Sequence, residues 1–382
     1  MGVPKIMSSF CSSANDNGQS TVLFDQHQKH DAKFHLYAGW NMPIYYDGIR
    51  IEHQSVVNKC GLFDASHMGQ FLISGSDAIS FIRHLLPFRF KRLSIGRLQY
   101  TSMCNINGGV VDDLLIYRLR ESEFLLIVNA SRTDEDWKWI QKISKSYSNL
   151  EIVNRANNFS LLALQGPISK HILGKYSSFP VASLGYFNFT QTELFSIPVI
   201  LSRNGYTGED GFEIIVKSES AEQLWKLLLR EGAKPCGLAS RDILRIEMGF
   251  ALYGNELSED ITPMEGGIGW TIDWSRIDEY IGGKHLKQKR LLGNYGRLYG
   301  IEMVRKAVPR RGYNVFDQNN NSVGVITSGT QSPTLKKGIA LARLYLSSVQ
   351  SSPDLYIDIR GKMVSARIRK LPFRASKTVK PK

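Results

Sequence analysis

Carboxylates set inside apolar strands are the residues of this chain most suited to chemistry. The run GGVVDDLLIY, Gly108 to Tyr117, places Asp112 and Asp113 in what otherwise reads as a buried β-strand. Aspartate is depleted in strand interiors, and a carboxylate removed from water must be paired or hydrogen-bonded. Asn107, Gly108 and Gly109 supply the turn that starts the strand, and alternation then sends the two side chains to opposite faces. One of them at most can line a given pocket. Asp113 shares its face with Val111, Leu115, Tyr117 and Leu119, whereas the Asp112 face carries Arg118, a charge partner or the mark of a wetter side. This favours Asp113 as the carboxylate of an apolar, ligand-sized cavity. Capping of a turn at a strand edge is the structural alternative for both.

Two further stretches have the same character. In RNGYTGEDGFEIIV, Arg203 to Val216, Gly205, Gly208 and Gly211 allow a tight backbone path into a strand on which Glu213 faces away from Phe212, Ile214 and Val216. Glu213 is a second carboxylate on a short strand, or the polar side of an amphipathic hairpin. In the stretch Gly237 to Trp270, Arg241 and Arg245 sit on one helical face at i, i+4 and could hold a carboxylate-bearing ligand bidentately. Salt bridges to Asp242 or Glu247 would use the same arginines structurally. His27 and His30 have no acidic or cysteine companions, so they read as a solvated helical face rather than metal ligands. The signatures GxxxxGK[ST], GxGxxG after a strand, GxSxG and HExxH are missing.

The elements that must hold these residues alternate. FLLIVNA (Phe124 to Ala130) reads as a strand, and Ser131 to Tyr147 as a helix with Ser131 as N-cap and acidic residues in its first turn. SLLALQGP is another buried strand, and SAEQLWKLLLREGAKPCG an amphipathic helix closed by Gly232 and Pro235. Strands and helices linked by hairpin turns favour an α+β fold with antiparallel sheets. From Leu298 to Pro372 the chain becomes short alternating strands, which suggests a small β-barrel or sandwich after a boundary near residues 289–296.

A length of 382 residues calls for two or three domains. No apolar run approaches the ~18 residues of a membrane helix, and the Ser/Asn-rich start resembles neither a signal peptide nor a good mitochondrial transit peptide. It reads as a disordered leader over residues 1–20. The cysteines Cys11, Cys60, Cys104 and Cys236 form no CxxC, so reduced structural thiols are expected. The formal charge of +13 suits an anionic partner, but the basic residues are dispersed and no nucleic-acid-binding motif accompanies them.

Taken in order, SHMGQF, QYTSMCNINGGVVDDLLIY, LLALQGP, NGYTGEDGFEI, GLASRDILRIEMGFALYGNEL and TPMEGGIGW resemble the aminomethyltransferase, or T-protein, family of the glycine cleavage system. VITSGTQSPTLKKGIALA resembles that family's C-terminal barrel segment, and the likeness runs over roughly residues 22–373. The resemblance implies a three-domain cloverleaf: a folate-binding unit over 21–288 made of two interleaved subdomains, a C-terminal β-barrel over 296–374, and a basic tail over 375–382. It implies transfer of the methylene carbon of the aminomethyl group on lipoyl H-protein to tetrahydrofolate, releasing ammonia and leaving methylenetetrahydrofolate and dihydrolipoyl H-protein. Tetrahydrofolate is then the co-substrate, with no metal, and lipoylated H-protein the partner, with no nucleic acid and no membrane.

Residue by residue, the family's functional aspartate falls on Asp113 and its second folate-contacting carboxylate on Glu213. Met68, Tyr100 and Tyr206 match pocket walls, and Arg241 matches a ligand-contacting arginine suited to the glutamate tail of folate. Tyr253 and Trp270 lie in matching segments. The chain departs from the pattern at its end, where Thr378 stands in place of a tyrosine in animal relatives and Arg374 or Lys377 is the candidate substitute. The expected compartment is a bacterial cytoplasm, or the mitochondrial matrix of a eukaryote. Two alternatives stay open at this level: another folate-dependent demethylase on the same fold, and a non-enzymatic folate-binding, RNA-associated or regulatory protein.

Overall fold

A computed structural model describes residues 18–345 and 354–378; of the leader expected over residues 1–20, residues 1–17 lie outside them, as do Cys11 and residues 379–382 of the tail, whereas Gln19 is not disordered but bonded through its backbone to Gly39 and Asn41. The chain forms two compact units, each made of separated stretches: the described residues within 1–68, 155–242 and 377–382 build one, and those within 69–154 and 243–376 the other.

The first unit holds a six-stranded sheet in the order Phe189–Leu194, Ile197–Ser202, Gly211–Lys217, Phe159–Gln165, Gly61–Asp64, Lys234–Pro235, antiparallel except for its last pair. The strands Phe159–Gln165 and Gly211–Lys217 are buried on both faces, which explains their near-continuous apolar sequence. The helix Ser218–Arg230 lays Ala221, Leu224, Trp225 and Leu228 into the same core as Leu162, Leu164, Phe212 and Ile214. A burial of four such side chains on one helical stripe is what fixes an amphipathic helix to a sheet. The helix Phe24–Lys29 is not a solvated face. Its His27 is fully buried, with Nε2 at 3.0 Å from Asp64 Oδ2 and Nδ1 at 2.9 Å from the Tyr46 hydroxyl, while His30 is exposed.

The second unit contains a five-stranded antiparallel sheet in the order Leu98–Cys104, Val110–Arg120, Glu123–Val128, Gly69–Ser74, Glu151–Asn154. The helices Ala78–Leu85 and Thr133–Ser144 contribute to its core, which joins Phe81, Ile82 and Ile140 to Phe71, Leu114, Ile116 and Leu126. The second of these helices begins at Thr133 rather than at a Ser131 cap, because a 3₁₀ turn over Ala130–Arg132 precedes it. Six strands, Gly296–Met303, Asn314–Phe316, Ser322–Ser332, Lys337–Tyr345, Asp354–Ile359 and Lys362–Arg369, close into a barrel around Ile301, Val315, Ile326, Ala340 and Ile357. Closure leaves no sheet edge to pair with another chain. Among the described residues no helix is long and apolar enough to cross a membrane.

Candidate active site

The turn that launches the strand Val110–Arg120 is built by its own side chains. Asn105 Oδ1 accepts from the backbone N–H groups of Asn107 (2.9 Å) and Gly109 (3.1 Å). Gly108 has φ +78°, and a Cβ on Gly109 would stand 1.7 Å from the Glu259 carbonyl oxygen, so neither position tolerates a larger residue without movement. A register shift follows at once: Ser102 and Met103 face Asp113 and Asp112, but Cys104 faces Val110. The extra residue, Val111, is a bulge, and bulges re-aim side chains.

The bulge corrects the simple alternation. Val111 packs in the same core as Leu114 and Ile116, against the two helices, and does not share the Asp113 face. Asp112, in phase with Leu114 and Ile116, is therefore on the core side and fully buried, not on a wetter one. Arg118 is no partner for it, since Arg118 is bound to Glu121 and to backbone carbonyls. Asn129 holds both aspartates: its N–H donates to Asp112 Oδ2 (2.9 Å), and its side-chain amide donates to Asp112 Oδ1 (2.9 Å), Asp113 Oδ1 (2.8 Å) and the Asp113 carbonyl (2.9 Å). Asp113 also accepts the Tyr100 hydroxyl on Oδ2 at 2.7 Å.

Electrostatics separate this carboxylate from an ordinary one. Burial pushes Asp113 up to about 6, opposed by the Tyr100 and Asn129 hydrogen bonds and aided by the charge of Glu256. Asp112 is pushed up to about 7 by burial and by the charge of Asp113. A carboxylate poised near neutrality and held on two donors can accept and return a proton at physiological pH. Around it, Tyr100 and Tyr253 pack with Val110, Ala251, Leu257 and Ile268, and the Tyr100 ring lies 5.9 Å from that of Trp270. Trp270 is 70% exposed, an aromatic surface of the kind a flat ring can cover. Arg132 stacks 4.9 Å from the Tyr253 ring. Arg374 belongs elsewhere in this unit: its guanidinium is nearly buried and donates from Nε to Glu247 Oε2 at 2.8 Å.

The first unit carries the second cluster. Glu213 lies in the strand Gly211–Lys217 opposite Ser202 and Ala163 and is 5% exposed, so it is not the wet side of a hairpin. Asn204 Nδ2 donates to its Oε2 at 2.6 Å. Burial raises the Glu213 carboxyl, while the Arg241 charge and the Asn204 hydrogen bond pull it down. The Arg241 guanidinium lies 5.1 Å over the Tyr206 ring, and both residues are half-buried. Met68, also half-buried, follows His67, which is buried and held neutral, its pKa driven down to about 4 chiefly by desolvation. The tail segment joins this unit: Lys377 N–H donates to the Gly208 carbonyl at 2.8 Å, and Thr378 hydrogen-bonds the Tyr186 hydroxyl.

Arg245 is not a companion ligand to Arg241. It is fully buried, donating to Glu256 Oε2 at 2.8 Å and to Ser328 Oγ at 2.7 Å. Sequence reasoning also missed Asn129, Asn204, Tyr186 and Asp136. Single polar residues in loops and first turns carry no pattern of their own, and only the fold aims them at the carboxylates. No group of three or more His, Cys, Asp or Glu able to hold a metal occurs among the described residues.

Comparison with known proteins identifies the family. The GCVT N-terminal domain family matches residues 23–276, and the glycine cleavage T-protein C-terminal barrel domain family matches residues 297–374. The chain is 42% identical over 360 residues to the aminomethyltransferase of Bacillus cereus, covering 93% of this chain and 98% of that protein. With the aminomethyltransferase of a Geobacillus strain the identity is 39% over 358 residues, covering 92% and 98%. The crystal structure of the glycine cleavage system aminomethyltransferase T from Bartonella henselae superposes with a TM-score of 0.87 at 29% identity, over 95% of this chain and 99% of that one. Neither the demethylase reading nor the non-enzymatic one finds support among these relatives. The chain belongs to the aminomethyltransferase family, the T-proteins of the glycine cleavage system.

Proposed function

We propose that Asp113 is the carboxylate through which this enzyme moves a proton as it transfers a methylene carbon from the aminomethyl group of lipoylated H-protein to tetrahydrofolate. The observation that carries the proposal is its state: buried, raised to about 6, and held on Tyr100 and Asn129 beside an exposed aromatic surface. Tetrahydrofolate supplies the two nitrogens that take up the carbon. Asp113, ionised above its pKa, accepts hydrogen bonds from the attacking N–H and takes its proton, directly or through a water, while ammonia and the dihydrolipoyl thiol depart. Tyr100 and Asn129 fix the carboxylate, so its reorganisation costs little. Tyr253 and Trp270 offer apolar and aromatic area for the co-substrate.

In the other unit, Glu213 suits the donor edge of a pterin ring, since an ionised carboxylate is acceptor-only. Met68 and Tyr206 provide wall surface, and Arg241, stacked on Tyr206, suits a carboxylate of the glutamate tail. Arg374 contributes by anchoring its segment to Glu247, with a direct folate contact the more distant assignment. The +13 charge favours an acidic docking partner and a polyglutamate tail over nucleic acid. The similar proteins above are bacterial, which favours the cytoplasm.

The test is a coupled assay with aminomethyl-loaded H-protein and tetrahydrofolate, reading ammonia and methylenetetrahydrofolate. Asp113→Asn is expected to lose nearly all turnover with its fold intact. Full activity in that variant, or an equal loss only on replacing Asp112, would remove Asp113 from the role.

A further inference from the structure

A third carboxyl group completes the cluster beneath Asp113. Asp136 is the fourth residue of the helix Thr133–Ser144 and is fully buried on its core side, together with Ile140. An acid in a first helical turn is ordinarily a solvated group that complements the helix dipole. Asp136 is not solvated, and both of its oxygens are buried without a hydrogen-bond donor among the described residues. The group within hydrogen-bonding reach is another carboxyl, that of Asp112. Two carboxylates cannot donate to each other, so the contact requires a proton between them.

The charged and titratable neighbours of the pair come from the strands, the turn before the helix and one loop, and Arg132 alone among them opposes the rise of Asp136. Asp112 and Asp113 come from the strand, Tyr100 from the strand paired with it, and Arg132 from the 3₁₀ turn before the helix. Tyr253, Glu256 and Glu259 come from the loop beyond Met248. Arg132 is the cation nearest the carboxyls, and it is already bound: Nε donates to the Val111 carbonyl at 3.0 Å, and its Nη2 to Glu259 at 2.5 Å. Asp112, Asp113 and Asp136 thus face one committed arginine, and three buried negative charges would lack compensation.

We propose that Asp136 is a positioning residue that keeps its proton through the working range and shares it with Asp112, so that the pair never carries more than one negative charge. The proton on Asp136 is donated to Asp112. Asp112, its carboxylate fixed, receives both the backbone and side-chain donors of Asn129, and the Asn129 amide in turn holds Asp113 Oδ1. The relay runs from helix to strand to loop and ends on the group assigned to the reaction. Burial together with the Asp112 charge, which raises Asp136 well above an ordinary carboxyl, agrees with this arrangement. The inference rests on the assignment of Asp113 only for its consequence in catalysis.

The experiment uses the full-length protein labelled with ¹³C at the aspartate carboxyls and titrated by NMR without substrate. The expected result is a carboxyl of the Asp112–Asp136 pair that keeps its proton through the pH of about 7 marking Asp112, beside a separate Asp113 step near 6. In Asp136→Asn the high-pH carboxyl should vanish while the Asp113 step stays, because an amide donates to Asp112 as the shared proton did. Titration of Asp136 with ordinary carboxyls near ~3.9, or persistence of the high-pH carboxyl in Asp136→Asn, would overturn the proposal. In the transfer assay, Asp136→Leu should lower kcat about tenfold with KM little changed, and Asp136→Asn should recover most of that loss. Equal losses in the two variants would overturn the positioning role. The titration is read without turnover, so a failed Asp113 assignment leaves its outcome standing, and a failed titration leaves the Asp113→Asn result standing.

Discussion

Tyr100→Phe isolates the hydrogen bond that tunes the proposed carboxylate. The substitution keeps the ring, and with it the packing on Val110 and Trp270, but removes the hydroxyl 2.7 Å from Asp113 Oδ2. A hydrogen bond to a charged group contributes about 1.5–3 kcal/mol, and each pKa unit corresponds to ~1.4 kcal/mol, so its loss should raise Asp113 by about one unit or more. The sign is upward because the lost donor favours the ionised form. Starting from about 6, the carboxylate would then titrate near neutrality. With a one-unit shift, the ionised fraction at pH ~6 falls from about a half to about a tenth, a loss of roughly fivefold, whereas at pH ~8 it falls by only about a tenth. The assay is kcat/KM for tetrahydrofolate against pH with loaded H-protein, in wild type and Tyr100→Phe. An acid limb that stays in place, with activity lowered equally at all pH values, would refute the tuning argument.

Two other outcomes follow from the same geometry. Glu213→Gln exchanges a buried anionic acceptor, held by Asn204, for a neutral one, and should raise KM for tetrahydrofolate about tenfold with a much smaller change in kcat; a kcat loss with unchanged KM would contradict the binding role. His27→Ala leaves Asp64 buried without its main partner. Burial raises that carboxyl, but hydrogen bonds from His27, Ser66 and Thr21, with the His27 charge, more than reverse this and hold it at about 2. A depressed carboxylate stabilises the fold above its unfolded value of ~3.9, and this contribution is lost as pH falls toward 2. Denaturant unfolding should therefore show a loss of about 3 kcal/mol in the variant at neutral pH, shrinking below pH ~4; a difference independent of pH would contradict the pairing.

Much of the frame was legible because it rests on local rules. The antiparallel sheets, the apolar strand Phe159–Gln165, the amphipathic helix ending near Gly232 and the run of short strands after Gly296 all follow from periodicity and turn residues. The candidate carboxylates Asp113 and Glu213 stood out because charge inside an apolar strand is costly. What escaped was set by distance along the chain. The bulge at Val111 depends on Glu259, 148 positions away, whose carbonyl excludes a side chain at Gly109 and admits the turn. His27 reads as one face of a short polar helix, yet it is buried because Asp64 and Tyr46 supply partners that the local sequence does not contain. Arg245 looks like a twin of Arg241 by spacing, and only the fold gives it Glu256 and Ser328. Asp136 looks like a dipole-complementing acid until the helix is docked.

The most direct test of the account remains turnover by Asp113→Asn, measured as methylenetetrahydrofolate and ammonia formed from aminomethyl-loaded H-protein. The expected result is a folded protein, unchanged in circular dichroism and melting, whose transfer is nearly abolished at every pH. Transfer at the wild-type rate by that folded variant would contradict it.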